Sequence, residues 1–190
     1  MILNKIKMID GLINVRDIDD SIIIDLRYAT ENNFLNKKIY DIPVCVLQLN
    51  TALKLSKANS FAKDLGYRLK VLDAYRPLSV QKIMWDIIKN EDFVAPYWRG
   101  SNHNRGAAVD VTLTFENGDE ILMPSDYDEF SERASINYKD APTIAIENRE
   151  LLSMIMIKAG FLRIESEWWH FNDSEYEKYG LYDISLEKFI

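Results

Sequence analysis

His103 and His170 are the only two histidines among 190 residues, so any imidazole chemistry in this chain runs through one or both. His103 lies in Ser101-Asn-His-Asn-Arg-Gly-Ala-Ala-Val-Asp110. After Gly106 the residue types alternate as on a strand. Ala107, Val109, Val111 and Leu113 face one way, and Ala108, Asp110, Thr112 and Thr114 face the other. Asp110 therefore points away from the apolar side in mid-strand, where aspartate is disfavoured. Gly106 lets the preceding loop turn tightly and bring His103 back toward it. A His and an Asp held on a rigid strand can supply two ligands to Zn²⁺. Taken alone, the segment reads more simply as a surface-loop histidine and a strand-end aspartate.

His170 lies in Glu165-Ser-Glu-Trp-Trp-His-Phe171. On a helix Glu167 and His170 would share a face, but Trp168 to Phe171 are mostly strand formers, and on an ideal strand the two would face opposite sides. Placing Glu167 at the bend entering the strand reconciles the two. Alone, this segment suits a core aromatic cluster with a satisfied histidine. Together the two segments say more. Catalytic zinc usually has three protein ligands and one open position; His103, Asp110 and His170 make three. Glu167, close to a ligand in sequence yet spare, is placed to be a general base. Zinc would bring the pKa of a bound water toward ~7.

Arg76 ends a probable strand in Val71-Leu-Asp-Ala-Tyr-Arg-Pro77. Fixed by the backbone before Pro77, its guanidinium can polarise a carbonyl or stabilise an oxyanion; a salt bridge to one of the many carboxylates is the plainer alternative. In Asp25-Leu-Arg-Tyr-Ala-Thr-Glu-Asn-Asn-Phe34, a tyrosine at a strand end followed by polar turn residues suits a cleft wall or a structural role equally. Cys45, the single cysteine, sits among Val44, Val46 and Leu47 and reads as a buried hydrophobe.

The elements that must position these residues are both helical and extended. Strands are expected at Ser21–Tyr28, Tyr67–Tyr75, Ala107–Thr114, Phe161–Ile164 and Trp168–Phe171, with a hairpin through Asn117-Gly118 into Glu120–Met123. Leu49, Leu53, Phe61 and Leu65, with Ala58 and Ala62, predict a helix ending at Gly66. Val80, Ile83, Met84, Ile87 and Ile88 predict a second, and Leu151, Leu152, Ile155, Met156 and Ala159 a third, closed by Gly160. Asn90–Gly106 reads as loop. This mixture predicts an α+β fold, helices packed on a central, largely antiparallel sheet, in a single domain over residues 1–190. A doubly wound dinucleotide fold is disfavoured, since no Gly-x-Gly-x-x-Gly turn occurs.

Charge narrows the partners. The net charge is −7; residues 1–95 carry 14 basic and 12 acidic groups, residues 96–190 carry 9 and 18. An acidic chain without a basic stripe is a poor ligand for nucleic acid or an anionic membrane, and a cation or small molecule is the expected partner. One cysteine excludes an intramolecular disulfide framework. No membrane-length apolar run and no leader-like start are seen, so the cytosol is the expected compartment.

Taken in order, Asp25–Phe34, Asp73-Ala-Tyr-Arg-Pro77, Ser101–Leu113 and Glu167-Trp-Trp-His170 resemble the D-alanyl-D-alanine dipeptidases of the VanX type, and Asp128-Glu-Phe-Ser-Glu-Arg-Ala134 resembles a further family segment. The resemblance implies a zinc D,D-dipeptidase with the fold shared by D-Ala-D-Ala peptidases and the hedgehog N-terminal domain. It implies one Zn²⁺ per chain on His103, Asp110 and His170, Glu167 as acid/base, Arg76 stabilising the transition state, and Tyr28 and Ser101 contacting D-Ala-D-Ala. The sequence departs from the pattern at Met123-Pro-Ser-Asp-Tyr-Asp128, which replaces a more Gly-containing stretch, and in a short segment between Arg76 and Ser101. Both bear on the pocket rim. Two other readings stand beside this one: a zinc D,D-carboxypeptidase or L,D-endopeptidase acting on peptidoglycan peptides, and a non-catalytic hedgehog-like zinc-binding domain.

Overall fold

Strand β5 (Ala108–Phe115) organises the molecule, with both of its faces buried along nearly its whole length. The computed structural model describes residues 7–91 and 93–190; the first six residues, part of the start expected to lack a leader, lie outside the described residues. Before β5 come β1 (Leu12–Asn14), β2 (Ile23–Ile24), β3 (Val46–Gln48), α1 (Leu49–Asp64), β4 (Tyr67–Asp73) and α2 (Leu78–Ile88); after it come α3 (Thr143–Ala159), β6 (Phe161–Arg163) and β7 (His170–Asp173). Five strands form one sheet in the order β2-β4-β5-β7-β6, in which only β2 and β4 run parallel. A separate antiparallel pair joins β1 to β3. The expected α+β architecture on a largely antiparallel sheet is the observed one.

Alternation on β5 is as the sequence indicates. Val109, Val111 and Leu113 join one apolar core with Leu55, Ala58 and Ala62 of α1 and Leu152, Ile155 and Met156 of α3. The opposite face carries Asp110, Thr112 and Thr114, and these are buried too. Register then assembles a row. Asp73 pairs with Asp110, and Asp110 pairs with His170, so three polar side chains stand side by side across β4, β5 and β7. Asp73 reaches that row through a β-bulge: from Val71 to Asp73 the chain advances two residues while β5 goes back one, from Val111 to Asp110. The extra residue, Leu72, switches the strand from the helix-covered face to the other.

Several elements differ from expectation. The strand at Ser21–Tyr28 is only Ile23–Ile24; the chain then turns into a 3₁₀ helix, Arg27–Ala29, which buries the Tyr28 ring. β4 stops at Asp73, because the Ala74 carbonyl accepts from His103 Nδ1 and the Tyr75 N–H donates to Val46. The hairpin through Gly118 turns back but forms no second strand there: it is held by an isolated Thr114–Glu120 bridge, with the Phe115 N–H donating to the Asp119 carbonyl and the Ile121 N–H to the Leu113 carbonyl. On α1 the inward stripe is Ala52, Leu55, Ala58, Asn59 and Ala62, leaving Leu53 and Leu65 exposed. Small side chains let α1 approach its neighbours more closely than the leucines would. On α2, Met84 and Gln81 are buried while Ile83 and Ile87 are exposed, because Gln81 is drawn inward by Arg76 and the Ala95 carbonyl. α3 begins at Thr143, eight residues before the expected face. The fifth expected strand starts at His170 instead of Trp168, since Trp168 is held in a turn by bonds to the Ala134 carbonyl and Ser125 Oγ. Among the described residues no helix is long and apolar enough to cross a membrane.

Candidate metal and catalytic site

His103 enters the row from a 3₁₀ helix, Asn102–Arg105, that closes on Gly106 at φ +66°. A side chain at Gly106 would run into Leu12, so the turn requires glycine for space as well as for its left-handed backbone. Three ligand-type atoms then converge. His103 Nε2 lies 3.3 Å from Asp110 Oδ1, His170 Nδ1 lies 3.0 Å from the same oxygen, and the two ring nitrogens are 3.2 Å apart. Ligands at the corners of a tetrahedron around Zn²⁺ stand about 3.3 Å apart, so the triangle fits such a cation without rearrangement.

Outer partners orient both rings. His103 Nδ1 donates to the Ala74 carbonyl at 2.8 Å, and His170 Nε2 donates to Asn172 Oδ1 at 2.9 Å. Those bonds leave His103 Nε2 and His170 Nδ1 as the metal-facing nitrogens. Asn172 Oδ1 also accepts from Asn102 at 2.9 Å, tying the two histidine segments together. The second Asp110 oxygen, Oδ2, accepts from the Tyr127 hydroxyl at 2.9 Å. Among the described residues, His103, Asp110 and His170 are the one cluster suited to a metal ion.

Burial opposes charge on Asp110, yet His103 and His170 beside it hold the carboxyl well below the usual range. Burial likewise opposes charge on His170, but Asp110 and then Glu167 carry its pKa up to about 9.

Glu167 sits in the bend before β7, as expected, with its Oε2 3.8 Å from His170 Nδ1. Its side chain is 35% exposed and opens into a cavity of about 330 Å³ lined by Phe93, Phe130, Ser166 and Trp169. Burial raises its pKa, with His170 pulling it down and Asp110 pushing it up. A larger cavity of about 740 Å³ lies past Tyr127 and Asp128; His103, Asp110 and His170 line neither cavity, and Glu167 lines only the smaller one.

Arg76 is joined to the row through Asp73. Its guanidinium bonds Asp73 Oδ2 at 2.5 Å and Gln81 Oε1 at 2.8 Å, and it lies 5.2 Å from the Tyr28 ring centroid. Burial works against its charge, but Asp73 more than compensates and raises its pKa. The salt bridge weighed from sequence therefore exists, inside the site. Arg76 Nε is the buried side-chain nitrogen without a hydrogen-bond partner among the described residues. Tyr28, 2% exposed, donates its hydroxyl to Asp128 Oδ2 at 2.8 Å. Ser101 opens the His103 turn; its N–H and hydroxyl both go to Asn104 Oδ1, at 2.8 and 3.3 Å. Sequence reasoning assigned no role to Asp73, Tyr127, Asp128 or Asn172. Asp73 carried a signal, being a second aspartate inside a strand; Tyr127, in a loop 17 residues from Asp110, carried none.

A family described as D-ala-D-ala dipeptidase, Peptidase_M15, matches residues 8–183. The D-alanyl-D-alanine dipeptidase of Escherichia coli K12 is 36% identical over 179 residues, covering 94% of this chain and 93% of that one. The enzyme of the same name from Enterococcus faecalis is 30% identical over 168 residues, covering 77% and 83%. A solved structure of the LdcB LD-carboxypeptidase is 18% identical with a TM-score of 0.49, covering 96% of this chain and 78% of that one. From the match over nearly its full length, the chain belongs to the D-Ala-D-Ala dipeptidase family of M15 peptidases.

Proposed function

We propose that residues 1–190 act as one zinc-dependent dipeptidase domain that hydrolyses D-alanyl-D-alanine to two D-alanines in the cytosol. The observation that carries this is the triangle of His103 Nε2, Asp110 Oδ1 and His170 Nδ1, with Glu167 beside it at a cavity mouth. Zinc held by those three atoms supplies Lewis acidity, which makes water a competent nucleophile near neutral pH. Glu167 accepts the proton that the attacking water loses and returns it to the leaving amine. Arg76, fixed by Asp73 and Gln81, has donors left over to meet the negative charge that grows on the carbonyl oxygen. Tyr28 and Ser101 contact the dipeptide, Tyr28 at the edge where its hydroxyl meets Asp128 and Ser101 from the start of the His103 turn.

The test is to incubate the zinc-loaded protein with D-Ala-D-Ala, L-Ala-L-Ala and a D-Ala-D-Ala-terminated pentapeptide and measure free alanine. Turnover of the D,D-dipeptide alone is expected. Faster release of D-Ala from the pentapeptide would move the chain to the wall peptidases, and stoichiometric zinc with silence on all three would leave a zinc-binding module.

A further inference from the structure

The two oxygens of Asp110 face different partners. Oδ1 points at the histidine nitrogens, 3.0 and 3.3 Å away, whereas Oδ2 is taken by the Tyr127 hydroxyl at 2.9 Å. Tyr127 is itself held in place: its ring meets Trp169 edge-on, with centroids 5.3 Å apart and planes at 71°, and Trp169 directly precedes His170. We propose that Tyr127 is a positioning residue that keeps Asp110 a one-oxygen ligand, so that the fourth position of the metal stays open for water and substrate. The proposal rests on the zinc reading above.

The physical argument concerns what Oδ2 would do without its donor. Asp110 is 4% exposed, so water does not readily replace a lost hydrogen bond. An aspartate can offer a cation one oxygen or two, and a buried, unpartnered carboxylate oxygen beside a divalent ion turns toward the ion. The Tyr127 hydroxyl gives that oxygen another partner and fixes the carboxylate plane, as outer donors do for metal ligands in general. Tyr127 lies within Met123–Asp128, the stretch in which this sequence departs from the dipeptidase pattern.

The experiment is Tyr127→Phe in the full chain, with Co²⁺ in place of Zn²⁺. The variant keeps the ring against Trp169, and the thermal midpoints of the metal-free proteins check that it folds. Both proteins are expected to take up one cobalt. In the variant the visible cobalt absorption should fall severalfold, as four-coordination gives way to five, and kcat on D-Ala-D-Ala should drop about tenfold with KM within about twofold. A folded variant whose cobalt spectrum matches that of the unaltered protein overturns the proposal, whatever its activity. If the unaltered protein takes up no cobalt or does not cleave the dipeptide, the zinc dipeptidase reading itself fails, and the unaltered sample alone reveals that.

Discussion

On one side of the central sheet, Val109, Val111 and Leu113 share an apolar core with α1 and α3. On the other side, the same strands bury Asp73, Asp110 and, more shallowly, His170. The first face is stable because burying apolar surface is favourable in almost any close-packed arrangement. The second holds charge out of water and tolerates it only where each charge finds a partner. Asp73 finds Arg76. Asp110 finds two imidazoles that, when neutral, both present lone pairs to it. One carboxylate is thus satisfied within the protein, and the other is arranged for a cation from outside.

If that contrast is right, substitutions on the two faces should fail in different ways. The largest effect is expected at Glu167. Glu167→Ala should keep one zinc per chain yet lose about 10³-fold or more in kcat; metal analysis beside steady-state kinetics checks it, and retained turnover would remove Glu167 from the base role. Next, Leu152→Ala on the helix-covered face should cost about 3 kcal/mol of folding stability, roughly 10²-fold in the folding equilibrium, while kcat per folded molecule stays within twofold. Denaturant titration with activity measured on the same samples separates the two quantities.

The pH dependence sharpens the comparison further. In the metal-free protein the His170 pKa is raised to about 9. Its contribution to stability is therefore complete below the unfolded value of ~6.5 and is lost as pH rises through about 9. Zinc must displace that proton, so metal affinity should move the opposite way, rising about tenfold per pH unit from 7 toward 9. Chelator competition across that range and thermal melts of the metal-free form should show opposing slopes; parallel slopes would break the scheme. The smallest effect is expected at Asn172→Ala, which should weaken zinc about tenfold by freeing the His170 ring, measured by the same competition.

Legibility in the sequence followed the same division. Alternation on β5 revealed both its apolar side and the outward turn of Asp110, because strand periodicity is a local property. The scarcity of histidine points to His103 and His170, and placing Glu167 at a bend is one way to reconcile two residues that cannot share a strand face. Asp73 was hidden because regular alternation sends it with Leu69 and Val71 into the core. Only the bulge at Leu72 reverses this, and a bulge depends on the partner strand. The Trp168-Trp169 pair looked like strand, yet tertiary bonds to Ser125 and Ala134 hold it in a turn. On α2, Gln81 is inside and Ile83 outside because a buried arginine needed an acceptor, which no helical periodicity encodes.

Three hydrogen bonds join the end of β4 to the His103 turn: His103 Nδ1 to the Ala74 carbonyl, the Arg76 N–H to the His103 carbonyl, and Asn104 Nδ2 to the Arg76 carbonyl. They draw together the two ends of the excursion that runs from Pro77 to Ser101. An excursion cinched at its base can be lengthened or shortened without moving what lies below, and doubling a flexible stretch costs only about 0.6 kcal/mol in closure entropy. Descendants of this chain can therefore exchange segments of the rim around α2, provided that Gln81, which holds Arg76, and the Ala95 carbonyl, which holds Gln81, are kept, while the row of Asp73, Asp110 and His170 stays in place.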